Sequence, residues 1–200
     1  VAKTGQTTAI IGGTGSGKTT LVNLIPRFYD VTKGKVMVDG TDIREMSQES
    51  LREAIGYVPQ KGVLFSGTIA SNLRYGKEDA TKEQVMDAAC IAQAKEIIDG
   101  KKDGLDSAIA QGGSNVSGGQ KQRFSIARAI VKDPKIYIFD DSFSALDYKT
   151  DAILRRELSK KTKEAAVIIV AQRISTILHA EQIIVLNEGK VAGIGTHQEL

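Results

Sequence analysis

Eight consecutive residues, Gly12-Gly13-Thr14-Gly15-Ser16-Gly17-Lys18-Thr19, satisfy every fixed position of the phosphate-cradling pattern G-x-x-x-x-G-K-[ST]. Glycines let the backbone curl so that successive N–H groups point inward at a polyphosphate, and the helix that follows, from Thr20 to Ile25, aims its positive end at the same place. Lys18 would reach the β and γ phosphates and the Thr19 hydroxyl would sit on Mg²⁺. A second set of candidates is Asp140-Asp141, which follows the apolar run Ile136-Tyr137-Ile138-Phe139. One acid there is explained by a turn or a helix cap, but two at the mouth of a buried strand are costly without a cation. Asp140 is therefore read as a Mg²⁺ ligand acting through the ion's water shell, and Asp141 as the acid facing an attacking water. Gln60, just past a short strand, is a candidate for Mg²⁺ or water contact. Ser117-Gly118-Gly119-Gln120 opens a helix and offers a second anion-binding end, although a cap followed by a turn explains the same residues.

These groups need a scaffold, and the hydrophobic pattern supplies one. Thr7 to Ile11 reads as a buried strand leading into the glycines, and Pro26 ends or kinks the helix behind them. Gly34 to Gly40 alternates as a strand closed by an Asp-Gly turn, Ser47 to Ala54 is a short helix, and Ile55 to Val58 is the strand before Pro59-Gln60. From Lys61 to about Val131 strand patterns give way to helical ones. Thr81-x-x-Gln84 is a capping box, followed by an apolar face of Val85, Met86, Ala88, Ala89 and Ala92. A short helix from about Ala94 to Ile98 and a polar, Gly-rich loop to Val116 precede the long helix on which Phe124, Ala127, Ile130 and Val131 recur. A helix from about Thr150 to Thr162, the strand Ala166 to Val170 leading to Gln172, and strands at Gln182–Leu186 and Lys190–Ile194 complete the pattern.

Composition bounds the class. Two hundred residues make one globular domain with room for a subdomain. Lys and Arg number 27 against 24 acids, a net charge of +3 that does not by itself argue for nucleic acid. The lysines at 160, 161 and 163, and those at 101 and 102, have no aromatic residues interleaved with them, so they read as solvated faces. Lone Cys90 excludes an internal disulfide and reads as a small core-facing helix residue, and with only His179 and His197 beside it there is no zinc spacing. The longest apolar run, Ala165 to Ala171, is too short to cross a bilayer. Val1 in place of an initiator methionine, and Thr196-His197-Gln198-Glu199 as a capping box opening another helix, lead us to expect a soluble piece of a longer protein.

Taken in order and spacing, these residues resemble the nucleotide-binding domain of an exporter-type ATP-binding-cassette transporter, and the resemblance covers essentially the whole chain. It implies an α/β fold with a P-loop NTPase (RecA-like) core at about 1–60 and 132–200, a mainly parallel sheet, a helical subdomain inserted at about 61–131, and a truncated N-terminal antiparallel part. Gln60 matches the Q-loop, Val116 to Gln120 the signature, Asp140 the Walker B acid and Ser144 to Asp147 the D-loop. Leu64 to Leu73 and Gly195-Thr196-His197 match the exporter branch. The implied cofactors are ATP and Mg²⁺. The implied partners are transmembrane domains outside the chain, at the cytoplasmic face of a cell membrane, and a second nucleotide-binding domain paired head to tail. In that pairing Lys18 serves the chain's own site, while Ser117, Gly118, Gly119, Gln120 and Asp147 complete the partner's. No nucleic-acid partner is implied.

Three departures from the family pattern stand out. The family's catalytic glutamate after the Walker B acid is Asp141 here, one methylene short, which places its carboxylate roughly 1 to 1.5 Å from where water must be polarised and can cost on the order of 100-fold. The switch histidine is Gln172, which cannot carry an imidazole's proton or charge. Ala110-Gln111-Gly112-Gly113 stands where the family has Gly-Glu-Arg-Gly, so both charges of that loop are missing. Two losses at one site beside an intact signature suggest the degenerate half of a heterodimeric exporter, with a non-identical partner. The alternative at the site is that Asp141 still works as a slow base. A non-catalytic, ATP-gated regulatory subunit is a second reading of the chain. A soluble cassette ATPase acting on DNA or ribosomes is a third, although such proteins need a long coiled-coil insertion or a tandem cassette that these residues lack. The aromatic residue on which the family stacks adenine is absent between Val1 and Ile11, and losing a base stack costs about 1 to 3 kcal/mol, so this stretch alone should bind ATP weakly.

Overall fold

The computed structural model describes residues 1–200, except for the side chain of Ile174. Its elements in chain order are β1 (Thr7–Gly12), α1 (Lys18–Asn23), β2 (Met37–Val38), β3 (Thr41–Asp42), α2 (Gln48–Glu53), β4 (Ile55–Val58), β5 (Gly67–Thr68), α3 (Ile69–Arg74), α4 (Lys82–Ile91), α5 (Lys95–Asp99), β6 (Ala108–Ile109), α6 (Gly118–Lys132), β7 (Ile136–Asp140), α7 (Tyr148–Lys161), β8 (Ala166–Val170), β9 (Gln182–Asn187) and β10 (Lys190–Gly195). The fold is α/β with a mainly parallel sheet. It divides into two compact units, one comprising Val1–Tyr57, Pro134–Asp141 and Glu164–Leu200, the other Val58–Asp133 and Ser142–Lys163.

The first unit is built on a six-stranded sheet in the order β10-β9-β1-β8-β7-β4. β1 pairs in parallel with both β8 and β9, and β7 pairs in parallel with β8, while β10 returns antiparallel against β9. Parallel strands covered on both faces need apolar residues at every position. All five residues of β8 are buried, and so are Tyr137, Ile138 and Phe139 of β7. One contiguous core joins Ile10, Val22, Leu51, Ile55, Ile138, Ile168 and Leu186. Because β1, β8 and β7 run the same way, Gly12, Val170 and Asp140 all lie at one edge of the sheet, the carboxyl edge at which open α/β sheets receive ligands.

The second unit is mainly helical. α6 packs against α3 and α4, and α4 also meets α7. Phe124, Ile126, Ala127 and Ile130 of α6 are buried, as are Leu73, Val85, Ala88, Ala89, Leu154 and Leu158. Ser117 caps α6 with a complete capping box, its hydroxyl accepting from the Gln120 amide while the Gln120 side chain accepts from the Ser117 amide. Thr81 and Gln84 do the same for α4, and Asp147 caps α7. The unit takes in residues 142–163 as well as the stretch where the sequence suggests a helical insertion.

Several local expectations need correcting. Only Met37–Val38 of the alternating stretch at Gly34–Gly40 is strand, paired with Thr41–Asp42 across Asp39 and Gly40, whose φ values of 49° and 78° suit a type I′ hairpin. The second unit contains a small antiparallel sheet of β5 and β6, two residues each, which is too short to leave a periodic signal and is paired across forty residues of chain. Cys90 is exposed. The buried positions of α4 are Val85, Ala88 and Ala89, a narrow stripe, and Cys90 lies outside it. Thr196 does engage the Glu199 carboxylate, through its amide at 2.7 Å, but residues 197–199 form a turn rather than a helix.

Candidate functional site

At the carboxyl edge of the first unit, the glycines of 12–17 form the turn between β1 and α1. Gly12, Gly15 and Gly17 have φ values of 155°, 78° and 96°, a region L-residues rarely enter. A Cβ at Gly12 would fall against the Leu186 carbonyl oxygen and 2.6 Å from Ser16 Oγ, whereas Cβ atoms at Gly13 and Gly15 would meet nothing within 4 Å. The loop is thus tight against β9 at its base and open in front. Its tip is braced by the β9–β10 turn, where the Gly189 amide donates to Ser16 O at 3.1 Å.

Lys18 is only 8% exposed, and its ammonium donates to Gly12 O and Gly13 O at 2.8 Å and to Ser16 Oγ at 3.4 Å. The charge is therefore held within the curl of the loop by its own carbonyls. Thr14, Gly15, Thr19 and Thr20 are exposed. Helix α1 begins at Gly17, with no side chain capping it. An open glycine cradle, a stored ammonium and an uncapped helix start make a donor set that fits a polyphosphate.

Across from the loop, Thr19 Oγ1 donates to Asp140 Oδ1 at 3.0 Å, and Tyr57 Oη lies 3.3 Å from Asp140 Oδ2 and 2.9 Å from Asn23 Oδ1. Asp140 is 3% exposed. Burial pushes its carboxyl above the ordinary carboxylate value, against the opposing pull of the hydrogen bonds from Thr19 and Tyr57. The Tyr57 phenol is pushed up in turn, first by burial and then by the Asp140 charge. A desolvated carboxylate beside a threonine hydroxyl is a hard-oxygen pair that suits Mg²⁺, which takes one or two protein ligands and fills its other positions with phosphate oxygens and water. Consistent with that division, no group of three or more His, Cys, Asp or Glu able to hold a metal by itself occurs among the described residues.

Asp141 follows in the left-handed region at φ 49°, its amide donating to Val170 O at 3.0 Å. Its Oδ2 accepts from Gln172 Nε2 at 3.0 Å. The two residues that depart from the family pattern are therefore hydrogen-bonded to each other. β8 makes this possible, since it carries Gln172 at its end and is the strand against which β7 delivers Asp141.

The remaining candidates belong to the second unit. Gln60 is exposed, and the main chain before it is held by two buried side chains: Ser142 Oγ donates to Val58 O at 2.8 Å and Gln122 Nε2 donates to Pro59 O at 3.0 Å. Ser117 and Gly118 are exposed at the start of α6. A Cβ at Gly118 would meet nothing within 4 Å, while one at Gly119 would lie 3.4 Å from Ala145 O, so the α6 start adjoins the 144–147 segment. Asp147 Oδ1 accepts from the Thr150 amide at 3.0 Å, and that bond holds its carboxyl below the ordinary range. In the 110–113 segment, the Ala110 amide donates to Asn115 Oδ1 at 2.9 Å.

The sequence reading missed Tyr57, Asn23, Gln122 and Ser142. For Tyr57 and Ser142 a signal exists, since each is a polar residue adjoining a strand end beside a candidate residue. Asn23 and Gln122 lie within helices, and nothing in their spacing marks them.

The chain matches the family model described as ABC transporter over residues 2–144. It is 52% identical over 202 residues to an uncharacterized ABC transporter ATP-binding protein of Mycobacterium tuberculosis (strain ATCC 25618 / H37Rv), covering 100% of this chain and 34% of that protein. YgaD of Bacillus subtilis (strain 168), described provisionally as a multidrug export ATP-binding/permease protein, is 46% identical over 196 residues, 98% of this chain and 34% of the relative. Among solved structures, that of a bacterial Atm1-family ABC exporter with ATP bound is similar at a TM-score of 0.95 and 38% identity, over 99% of this chain and 35% of the other. The chain belongs to the ABC transporter family. It spans about a third of the length of the relatives it matches.

Proposed function

We propose that the chain is the ATP-binding and ATP-hydrolysing domain of an exporter, and that it drives substrate export across a membrane by closing on a second, non-identical nucleotide-binding domain when ATP is bound. Family membership and the exporter relatives support the ATPase part. In this reading Gly12 to Thr20 and Lys18 hold the polyphosphate, and Thr19, Asp140 and Gln60 serve Mg²⁺, which when bound would neutralise charge between the phosphates. Ser117 to Gln120 and Asp147 serve the nucleotide held by the partner. In this reading the transmembrane part lies outside these residues, and among the described residues no helix is long and apolar enough to cross a membrane.

The chain's own site binds ATP and turns it over slowly. The observation that carries this is the hydrogen bond from Gln172 Nε2 to Asp141 Oδ2 at 3.0 Å. An amide can hold a carboxylate by donating to it, but it cannot take up or pass on a proton. Asp141, already a methylene shorter than glutamate, is held by the Gln172 amide through one of its two carboxylate oxygens. A misplacement of about 1 Å at this step is worth on the order of 100-fold in rate.

The test is steady-state ATPase of the intact transporter with Asp141→Asn in this chain and, separately, with the partner's general base neutralised. We expect Asp141→Asn to leave most of the turnover and the partner variant to remove it. Equal and complete loss in both would overturn the impaired-site reading. If Asp141→Glu combined with Gln172→His raises turnover at this site, the two residues account for the impairment. If neither chain's variant changes turnover, the hydrolytic reading itself fails.

A further inference from the structure

In the first unit the buried Asp140 carboxylate presents its two oxygens to two different hydroxyls. Oδ1 lies with the Thr19 hydroxyl at 3.0 Å, and Oδ2 faces the Tyr57 hydroxyl at 3.3 Å. Tyr57 is fixed from two sides. Its hydroxyl lies 2.9 Å from the Asn23 side-chain amide on α1, and its ring packs nearly perpendicular to Phe28 at 5.5 Å between centroids, with the Arg52 guanidinium 5.5 Å from the centre of the Phe28 ring. A phenol has one proton to give. With Asn23 and Asp140 both acting as acceptors, one of them goes without. Rotating the Asn23 amide by half a turn, an assignment that hydrogen-bond networks decide, places its NH₂ toward the Tyr57 oxygen and frees the phenol proton for Asp140. All three groups are then satisfied in one direction, from Asn23 through Tyr57 to Asp140 Oδ2.

We infer that Tyr57 is a positioning residue for the metal ion: it ties Asp140 Oδ2 back, so that Oδ1 stays beside Thr19 for the cation, and Asn23 sets the direction in which Tyr57 donates. The inference rests on the reading of Thr19 and Asp140 as the Mg²⁺ pair. Hydrogen bonds behind a metal ligand commonly carry about 10- to 100-fold in metal affinity, because they fix the ligand's orientation before the ion arrives. Removing the phenol hydroxyl frees the carboxylate to turn, while leaving the ring, the strand and the phosphate loop in place.

The experiment is equilibrium binding of a fluorescent ATP analogue to the intact transporter, titrated with Mg²⁺ and repeated in EDTA, with thermal unfolding measured alongside. For Tyr57→Phe we expect about a tenfold higher Mg²⁺ concentration at half-effect, with affinity in EDTA and the unfolding midpoint close to wild type. Asn23→Asp, which offers the phenol only acceptors, should shift the Mg²⁺ curve in the same direction. Asp140→Asn is the control and should remove the Mg²⁺ effect altogether. If Asp140→Asn abolishes the effect while Tyr57→Phe leaves the curve unchanged, the inference is wrong and the Mg²⁺ pair stands. If Tyr57→Phe lowers EDTA affinity and the unfolding midpoint together, Tyr57 is merely structural and the inference is again wrong. If wild type shows no Mg²⁺ dependence, or Asp140→Asn retains it, the underlying reading of the pair fails.

Discussion

At Asp140 the fold keeps a carboxylate in a place that disfavours its charge. Its pKa is raised by burial, so between the ordinary carboxylate value of 3.8 and the raised one the folded chain holds a proton that the unfolded chain has released. Stability without ligand therefore falls as pH rises through that window, and the penalty is fully present at neutral pH. Asp140→Asn removes the charge and keeps most of the shape. We expect the nucleotide-free variant to unfold at a higher temperature than wild type at pH 7, with the difference narrowing as pH falls through that window and gone below about 4. Calorimetric scans across that range check it, and a variant that is less stable at pH 7 would show that the Thr19 and Tyr57 hydrogen bonds outweigh desolvation.

Among the elements, the phosphate loop and α6 start helices in opposite ways. α1 begins at a left-handed glycine with no side-chain cap on its first N–H groups, whereas α6 is closed by its own Ser117–Gln120 box. Ser117 thus satisfies its own helix with the hydroxyl oxygen and still has a proton to donate outward. Replacing it with alanine should cost about 1 kcal/mol of unfolding free energy, and aspartate should restore most of that. Gly12→Ala should cost more, about 2 kcal/mol or some 4–8 °C in midpoint, because the new Cβ meets Ser16 Oγ at 2.6 Å and the Leu186 carbonyl, and φ is 155°. Chemical denaturation of the variants gives both values, and a Gly12→Ala protein as stable as wild type would mean that the loop relaxes at no cost.

For the whole molecule, in our reading the chain's own phosphate loop lies in the first unit, and Ser117 to Gln120 and Asp147, which serve the partner's nucleotide, lie in the second. Gly118 separates these roles. Its missing side chain leaves open space within this chain, so the fold does not require glycine there. Gly118→Glu should leave the unfolding midpoint near wild type, since an acid in the first turn also suits the helix dipole. In the assembled transporter it should cut hydrolysis at the partner's site at least tenfold while leaving nucleotide occupancy of this chain's loop unchanged. Photolabelling with an azido-ATP, read separately on each subunit, measures both. Loss of labelling on this chain would contradict the division of roles.

The residues that can be read without a structure are those whose chemistry is carried by local order. The glycine pattern with Lys18, the apolar run ending in Asp140-Asp141, and the Ser117 helix start are contiguous in sequence, and their backbone demands follow from residue type alone. The strands that bear them were equally legible, because a strand buried on both faces needs an unbroken apolar run. What the tertiary structure decided was which residues meet across the sheet edge. Gln172 reaches Asp141 only because β8 lies beside β7 in parallel register, and Tyr57 reaches Asp140 only because β4 and β7 are sheet neighbours and α1 brings Asn23 within reach. The two-residue pairing of β5 with β6 and the exposure of Cys90 were likewise settled by packing. Such contacts join residues tens of positions apart, and one sequence records no spacing from which they could be inferred.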